Sequence, residues 1–129
     1  MARKKLTEER FFEECDQAHG AYFGDLMARW HEVGHRIRMQ ASSAALVIGN
    51  TTLCFLYPSY RNQGGAVRIS VTSLGLAFGK KWAESLAEDV RAIEGLQTGS
   101  GRKEIIVRRP AEASLDPQEA LKQLMLGRG

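Results

Sequence analysis

The residues whose types and spacing most directly suggest chemistry are His31, Glu32 and His35. They belong to the sequence HEVGH at residues 31–35, which is an H-E-x-x-H pattern. On a helix, histidines at this spacing lie on one face and can share a zinc ion, while the glutamate can act as a general base. The pattern therefore predicts, as one alternative, a zinc-dependent hydrolase of the metallopeptidase type.

Three features of the surrounding sequence weigh against this zinc site. The five residues resemble the helix of zincins, in which a sheet comes before the active-site helix, whereas here the preceding residues have helical periodicity. A catalytic zinc needs three protein ligands, and no histidine follows His35. Gly34 is placed where a left-handed helix C-cap is expected, which would put His35 beyond the last turn. We therefore predict a helix end here and assign no catalytic residue and no metal ligand, with His31 and His35 as zinc ligands only in the alternative.

The distribution of charge along the chain indicates a different function. Residues 35–81 contain six basic side chains and no aspartate or glutamate, whereas residues 1–34 contain five basic and seven acidic ones. This absence argues against paired-carboxylate catalysis on the middle strands. A basic surface without carboxylates is instead typical of proteins that bind nucleic acid or an acidic protein partner. The candidate binding residues are Arg36, Arg38, Tyr60, Arg61, Arg68, Lys80 and Lys81, with Tyr57 as a second stacking candidate.

These candidates come from three local patterns. Arg36, Arg38 and Arg68 share the outward parity of alternating segments, so neighbouring strands would place them on one open sheet face. The loop YPSYRNQGG combines aromatic rings with an arginine, a composition that can stack on bases and contact phosphates. The segment GLAFGKK lacks a Walker pattern, but a helix N-terminus beside Lys80 and Lys81 can hold an anion.

The periodicity of apolar residues predicts a single α+β domain over residues 1–129. We expect an N-terminal helix from Thr7 that is kinked or split at Gly20 or Gly24. Four mostly antiparallel strands should follow at 36–40, 44–48, 52–57 and 66–72, then a helix over 76–94. After a Gly/Ser loop at 97–102, we expect a fifth strand over 103–108 and a short helix that begins at Asp116 and ends at Gly127.

The runs LMARWHEVGHRIRMQ and FLYPSYRNQGG resemble a family of small uncharacterised bacterial α+β domains. The resemblance covers residues 20–95 and implies an α+β fold with Gly34 at a helix end, without supplying an active site. The lack of a signal-peptide pattern and of a membrane-length apolar run predicts a cytoplasmic protein that does not enter a membrane. Cys15 and Cys54 form no C-x-x-C pattern, which predicts reduced thiols. No cofactor is predicted, and a homo-oligomer that uses an uncovered sheet face is a third alternative.

Overall fold

The fold consists of helices and one antiparallel sheet, which confirms the predicted α+β class. A computed structural model describes residues 4–62, 64–99 and 101–128, so Gln63 and Ser100 of the two predicted loops lie outside the described residues. The helices are α1 (Glu8–Glu14), α2 (Gln17–Glu32), α3 (Val71–Phe78), α4 (Lys80–Arg91) and α5 (Leu115–Arg128). The strands are β1 (Arg36–Met39), β2 (Ala44–Ile48), β3 (Thr51–Tyr57), β4 (Ala66–Ser70), β5 (Gln97–Thr98) and β6 (Glu104–Arg108). A 3-10 turn covers Pro110–Glu112.

The predicted N-terminal helix is divided into α1 and α2, but not at a glycine. Thr7 caps α1 as expected, since its hydroxyl accepts the Arg10 backbone N–H at 3.1 Å. The break falls at Asp16, whose carboxylate accepts the backbone N–H of His19 at 2.8 Å and so starts a new helix. Gly20 and Gly24 lie inside α2, so the predicted split does not occur at either glycine.

The segment predicted as a helix over 76–94 also forms two helices. The strand before it ends at Ser70, whose side chain caps α3 by accepting the Ser73 backbone N–H. Gly79 then separates α3 from α4 with a φ of 103°, a backbone conformation that is open to glycine and strained for other residues. At the C-terminus, α5 begins at Leu115, so that Asp116 lies in its first turn and not at the cap.

The strands pair in the order β1-β2-β3-β4-β6-β5, and every pair is antiparallel. The described residues form six strands, whereas five were predicted. The missed strand is β5, which lies in the segment predicted as a loop. Two residues are too few to display the alternation on which strand prediction depends.

The helices pack on one face of this sheet. Their buried side chains, including Phe23, Trp30 and Leu86, form a single cluster with strand residues such as Leu46 and Val67. A bulge in β3 adds to this core, because the pairing passes from Leu46↔Cys54 to Val47↔Thr52 and leaves Leu53 as an extra residue. As a result Leu53 and Cys54 are both fully buried, although they are consecutive in a strand.

Candidate functional site

The face of the sheet that points away from the helices carries Arg36, Arg38 and Arg68 of the predicted binding residues, together with Tyr57. We call it the open face, and define it by the strand positions that alternate with the core positions. Two cross-strand rows follow from the register: Arg38–Ala45–Phe55–Arg68–Ile106 and Tyr57–Ala66–Arg108–Gln97. The remaining members are Arg36, Val47, Thr52, Ser70 and Glu104. The common parity predicted for Arg36, Arg38 and Arg68 is therefore confirmed.

Arg68 occupies the middle of the open face in a fixed position. Its guanidinium carbon lies 5.1 Å from the centre of the Phe55 ring. It donates to the Tyr57 hydroxyl at 3.1 Å and to the Glu104 carboxylate at 2.9 Å, contacts that hold the pKa of Arg68 above its usual range. The guanidinium is thus a charged, flat group held over an aromatic ring and restrained by hydrogen bonds on two sides.

Arg36 and Arg38 form the rim of the open face at β1. Arg36 donates to the Gly49 carbonyl at 3.0 Å and Arg38 donates to the Thr52 hydroxyl at 2.9 Å. The bulge in β3 brings Thr52 to this face, so it also determines where Arg38 finds its partner. Both arginines are exposed and neither contact neutralises their charge, which leaves them able to bind an anion.

One carboxylate lies on the open face, and this corrects the prediction of a carboxylate-free surface. Glu104 of β6 is on the same face as Arg68 and forms an ion pair with it at 2.9 Å. The local sequence could not indicate this neighbour, because β6 reaches β4 only after the two intervening helices. The face remains basic, since Glu104 is accompanied by Arg36, Arg38, Arg68 and Arg108.

The loop that follows β3 extends the aromatic part of the open face. The rings of Tyr57 and Tyr60 meet edge to face with centres 5.3 Å apart, and the Arg61 guanidinium lies 5.3 Å from the Tyr60 ring centre. Arg61 and Asn62 have positive φ values of 51° and 59°, which non-glycine residues adopt at an energetic cost. Tyr60 and Arg61 are therefore held near Tyr57 by a tightly folded loop.

A buried histidine, His19, packs against the end of this loop. It was not singled out as a site residue from the sequence. His19 is fully buried, its Nδ1 donates to Asp16 at 2.9 Å, and its Nε2 accepts the Ala111 backbone N–H at 3.3 Å. Its ring packs so closely on Gly65 that a Cβ there would lie 2.5 Å from His19 Cδ2. Because both ring nitrogens are bonded, His19 fixes the end of the loop against α2 and the 3-10 turn.

Lys80 and Lys81 do not join the open face. They begin α4, whose residues Ala83, Leu86 and Val90 are buried in the core on the helical side of the sheet. The Nζ atom of Lys80 lies 3.9 Å from Oε1 of Glu84, which is one turn further along the same helix. The structure therefore separates these two lysines from the arginines with which the sequence had grouped them.

The HEVGH sequence lies at the end of a helix, as the glycine predicted. The last helical residue of α2 is Glu32, and Gly34 has a φ of 89°. His35 is thus outside the helix, where the centre of its ring lies 4.7 Å from the centre of the Trp30 ring. The two histidines do not have the one-face geometry that the zinc alternative requires. Over residues 4–62, 64–99 and 101–128, no group of three His, Cys, Asp or Glu side chains is placed to hold a metal ion.

Two adjoining cavities open where β6 meets β5 and the Tyr60 loop. The larger measures about 350 Å³, and its lining includes Gln97, Glu104, Ile106 and Arg108. The smaller measures about 90 Å³, and its lining includes Tyr60, Gln97, Arg108 and Arg109. Gln97 and Arg108 line both, so the two cavities adjoin along one side of the open face, and we call the pair the depression.

Sequence reasoning missed Phe55 and Arg108 as members of this surface. Both could have been found by extending to their strands the alternation that identified the other arginines, since Cys54, Leu56 and Val107 point into the core. The sequence pattern did contain this signal, but it was not applied to these two strands.

Comparisons with known proteins leave the site to be interpreted from its own geometry. No protein-family model, no curated protein and no solved structure gives a significant match to the chain. In the part of the chain that the structure describes, no helix has both the length and the apolar character needed to cross a membrane.

Proposed function

We propose that the open face binds single-stranded nucleic acid, without catalysis and without a cofactor. The observation that supports this most strongly is the arrangement around Arg68. Its guanidinium carbon lies 5.1 Å from the centre of the Phe55 ring and the group donates a hydrogen bond to Tyr57, on a face that also carries Arg36, Arg38 and Arg108. Arginines contact phosphates, while rings and guanidinium planes stack on bases, and an uncovered antiparallel sheet presents both at once.

The exposed rings favour a single strand over a duplex. Phe55, Tyr57 and Tyr60 are each partly exposed, and side chains of this kind can stack only on bases that are not already paired and stacked. The row from Arg38 to Ile106 crosses five strands, which at about 4.8 Å between neighbours makes a surface about 19 Å wide. Such a surface has room for a short stretch of unpaired nucleotides.

The proposal is tested by measuring the binding of short fluorescein-labelled single strands, RNA and DNA, by fluorescence anisotropy at increasing salt. The variant R36Q/R38Q removes two exposed positive charges from the rim of the open face. If both arginines contact phosphates, the slope of log affinity against log salt should fall by about 1.4, because each phosphate contact on a single strand contributes about 0.7. At 0.1 M salt the affinity should fall by about tenfold or more.

The variant K80Q/K81Q is the matched control, because it removes the same charge from the helical side of the protein. It should bind within about twofold of the unchanged protein, since long-range attraction is weak beyond a Debye length of about 10 Å. Equal losses in the two variants would overturn the assignment to the open face. Binding that does not weaken with salt, or equally tight binding of poly-glutamate, would overturn nucleic acid as the ligand.

A further inference from the structure

The cavity between β5 and β6 bears on whether the proposed nucleic-acid binding prefers one base. It measures about 350 Å³, which lies within the range of about 300–1,000 Å³ that is usual for sites of small ligands. Its lining includes the apolar side chain of Ile106 together with the polar groups of Gln97, Glu104 and Arg108. We propose that this cavity receives a guanine base of the bound single strand, an inference that rests on the proposed function.

The polar groups lie at opposite ends of the cavity. Glu104, Ile106 and Arg108 are alternate residues of β6, so all three side chains project from the open face. A strand rises about 3.4 Å per residue, which places the Cα atoms of Glu104 and Arg108 about 14 Å apart. A nucleotide can therefore lie along β6 with its base over Ile106, its Watson–Crick edge toward Glu104 and its phosphate toward Arg108.

The carboxylate of Glu104 determines which base fits. An ionised carboxylate only accepts hydrogen bonds, and its two oxygens suit two parallel N–H donors. Guanine presents two adjacent donors, N1–H and N2–H, on its Watson–Crick edge. Adenine and cytosine pair one donor with one acceptor, and uracil has a single N–H between two carbonyl oxygens, so each of these would place an acceptor against a carboxylate oxygen.

Arg68 acts as a positioning residue for this carboxylate. Its Nε donates to Glu104 Oε2 at 2.9 Å, and Tyr57 and Phe55 restrain Arg68 in turn. Because a carboxylate has about four lone-pair sites, this contact orients Glu104 and leaves it able to accept from a base.

In this proposal the smaller adjoining cavity holds the phosphate of the same nucleotide. At about 90 Å³ it is too small for a base, but it has about three times the volume of one liquid water, which is suitable for phosphate oxygens. Arg108 and Arg109 both line it, and Arg109 is restrained by Glu112 at 3.5 Å. Positive charge thus collects at the end of the depression opposite Glu104.

The test compares oligouridine RNA with the same RNA carrying a single central guanosine, adenosine or cytidine, by fluorescence anisotropy. The unchanged protein should bind the guanosine strand roughly 5- to 150-fold more tightly than the others, the discrimination usual for one bidentate pair. The variant E104Q, in which an amide N–H₂ replaces one acceptor, should lose this preference to within about twofold while keeping its affinity for oligouridine. The variant R108Q should lose affinity for every strand and keep the preference.

Two controls make the outcome decisive. The variant E84Q makes the same chemical change on α4 and should keep the guanine preference, and the thermal unfolding of each variant reports whether it is folded. If E104Q does not fold, titration of the unchanged protein with guanosine and adenosine monophosphates, followed by the NMR signals of the Gln97 amide, provides the same comparison. Equal binding of all four strands would overturn the guanine site while single-strand binding stands, and a failure to bind any strand would overturn both proposals.

Discussion

Substituting Gly65 by alanine should destabilise the protein through one methyl group. The added Cβ would lie 2.5 Å from His19 Cδ2, 2.7 Å from His19 Cγ and 3.0 Å from Phe23 Cε2, whereas carbon atoms in contact normally stay about 3.5–4.0 Å apart. The imidazole cannot retreat without breaking its bonds to Asp16 and Ala111. Overpacking of this kind costs about 1–3 kcal/mol, and a weakened hydrogen bond adds about 1 kcal/mol.

The free energy of unfolding should therefore fall by about 2–4 kcal/mol, which for a domain of this size lowers the melting temperature by roughly 10 °C. Urea and thermal unfolding, both followed by circular dichroism, measure the two quantities. Gly20 provides the matched control, because it lies in α2 with its nearest neighbour, Cys15 Cβ, at an ordinary 3.7 Å. The same substitution there should raise stability by about 0.5–1 kcal/mol, since glycine disfavours a helix interior. A Gly65→Ala variant as stable as the unchanged protein would refute the assignment of His19 as a rigid support.

Three further predictions concern charged and nucleophilic groups. Asp25→Asn should destabilise the fold more than Lys122→Met. The first substitution leaves the buried Lys122 ammonium without its carboxylate partner at 2.8 Å, whereas the second replaces the ammonium by an apolar chain. Urea denaturation of both variants checks the order. The Lys122 contact is the main cause of a lowered pKa for Asp25, and the His19 backbone N–H is the main cause for Asp16. Both groups therefore stabilise the fold above the unfolded-state pKa of about 3.9, and the urea midpoint should fall as the pH drops through their folded-state pKa values. Partial burial and the nearby acids raise the pKa of Cys15 to about 11, and full burial raises that of Cys54 further, so Ellman's reagent near pH 8 should modify Cys15 slowly and Cys54 only after unfolding.

The sequence predicted the open face where local alternation was enough. Arg36, Arg38 and Arg68 were placed on one side of the sheet because the strand period of two fixes which side chains share a face. The same rule could have added Phe55 and Arg108, because the apolar residues Cys54, Leu56 and Val107 beside them face the core. The helix end within HEVGH was also predicted correctly, because the backbone preference of Gly34 is a local property.

The rest of the site depends on contacts between distant parts of the chain. The alternation that places Arg108 also places Glu104 on the open face, but that Glu104 lies beside Arg68 follows from the pairing of β4 with β6, which no local pattern reveals. Lys80 and Lys81 were grouped with the arginines by charge alone, whereas the side of the sheet to which α4 returns is a tertiary property. The break at Asp16 was missed because two glycines gave a more obvious signal than a capping carboxylate.

The order of the strands has a consequence for how substitutions can change the function of this protein. The arginine rim and the aromatic rings come from residues 36–68, whereas the cavity with Glu104 and Arg108 belongs to a hairpin over residues 97–108 that is added to the edge of the sheet after α3 and α4. On the functions proposed here, base preference is thus encoded in the hairpin, whereas general affinity comes from residues 36–68 together with Arg108. Substitutions in the hairpin can alter which base is preferred while the strands that bind the backbone remain unchanged.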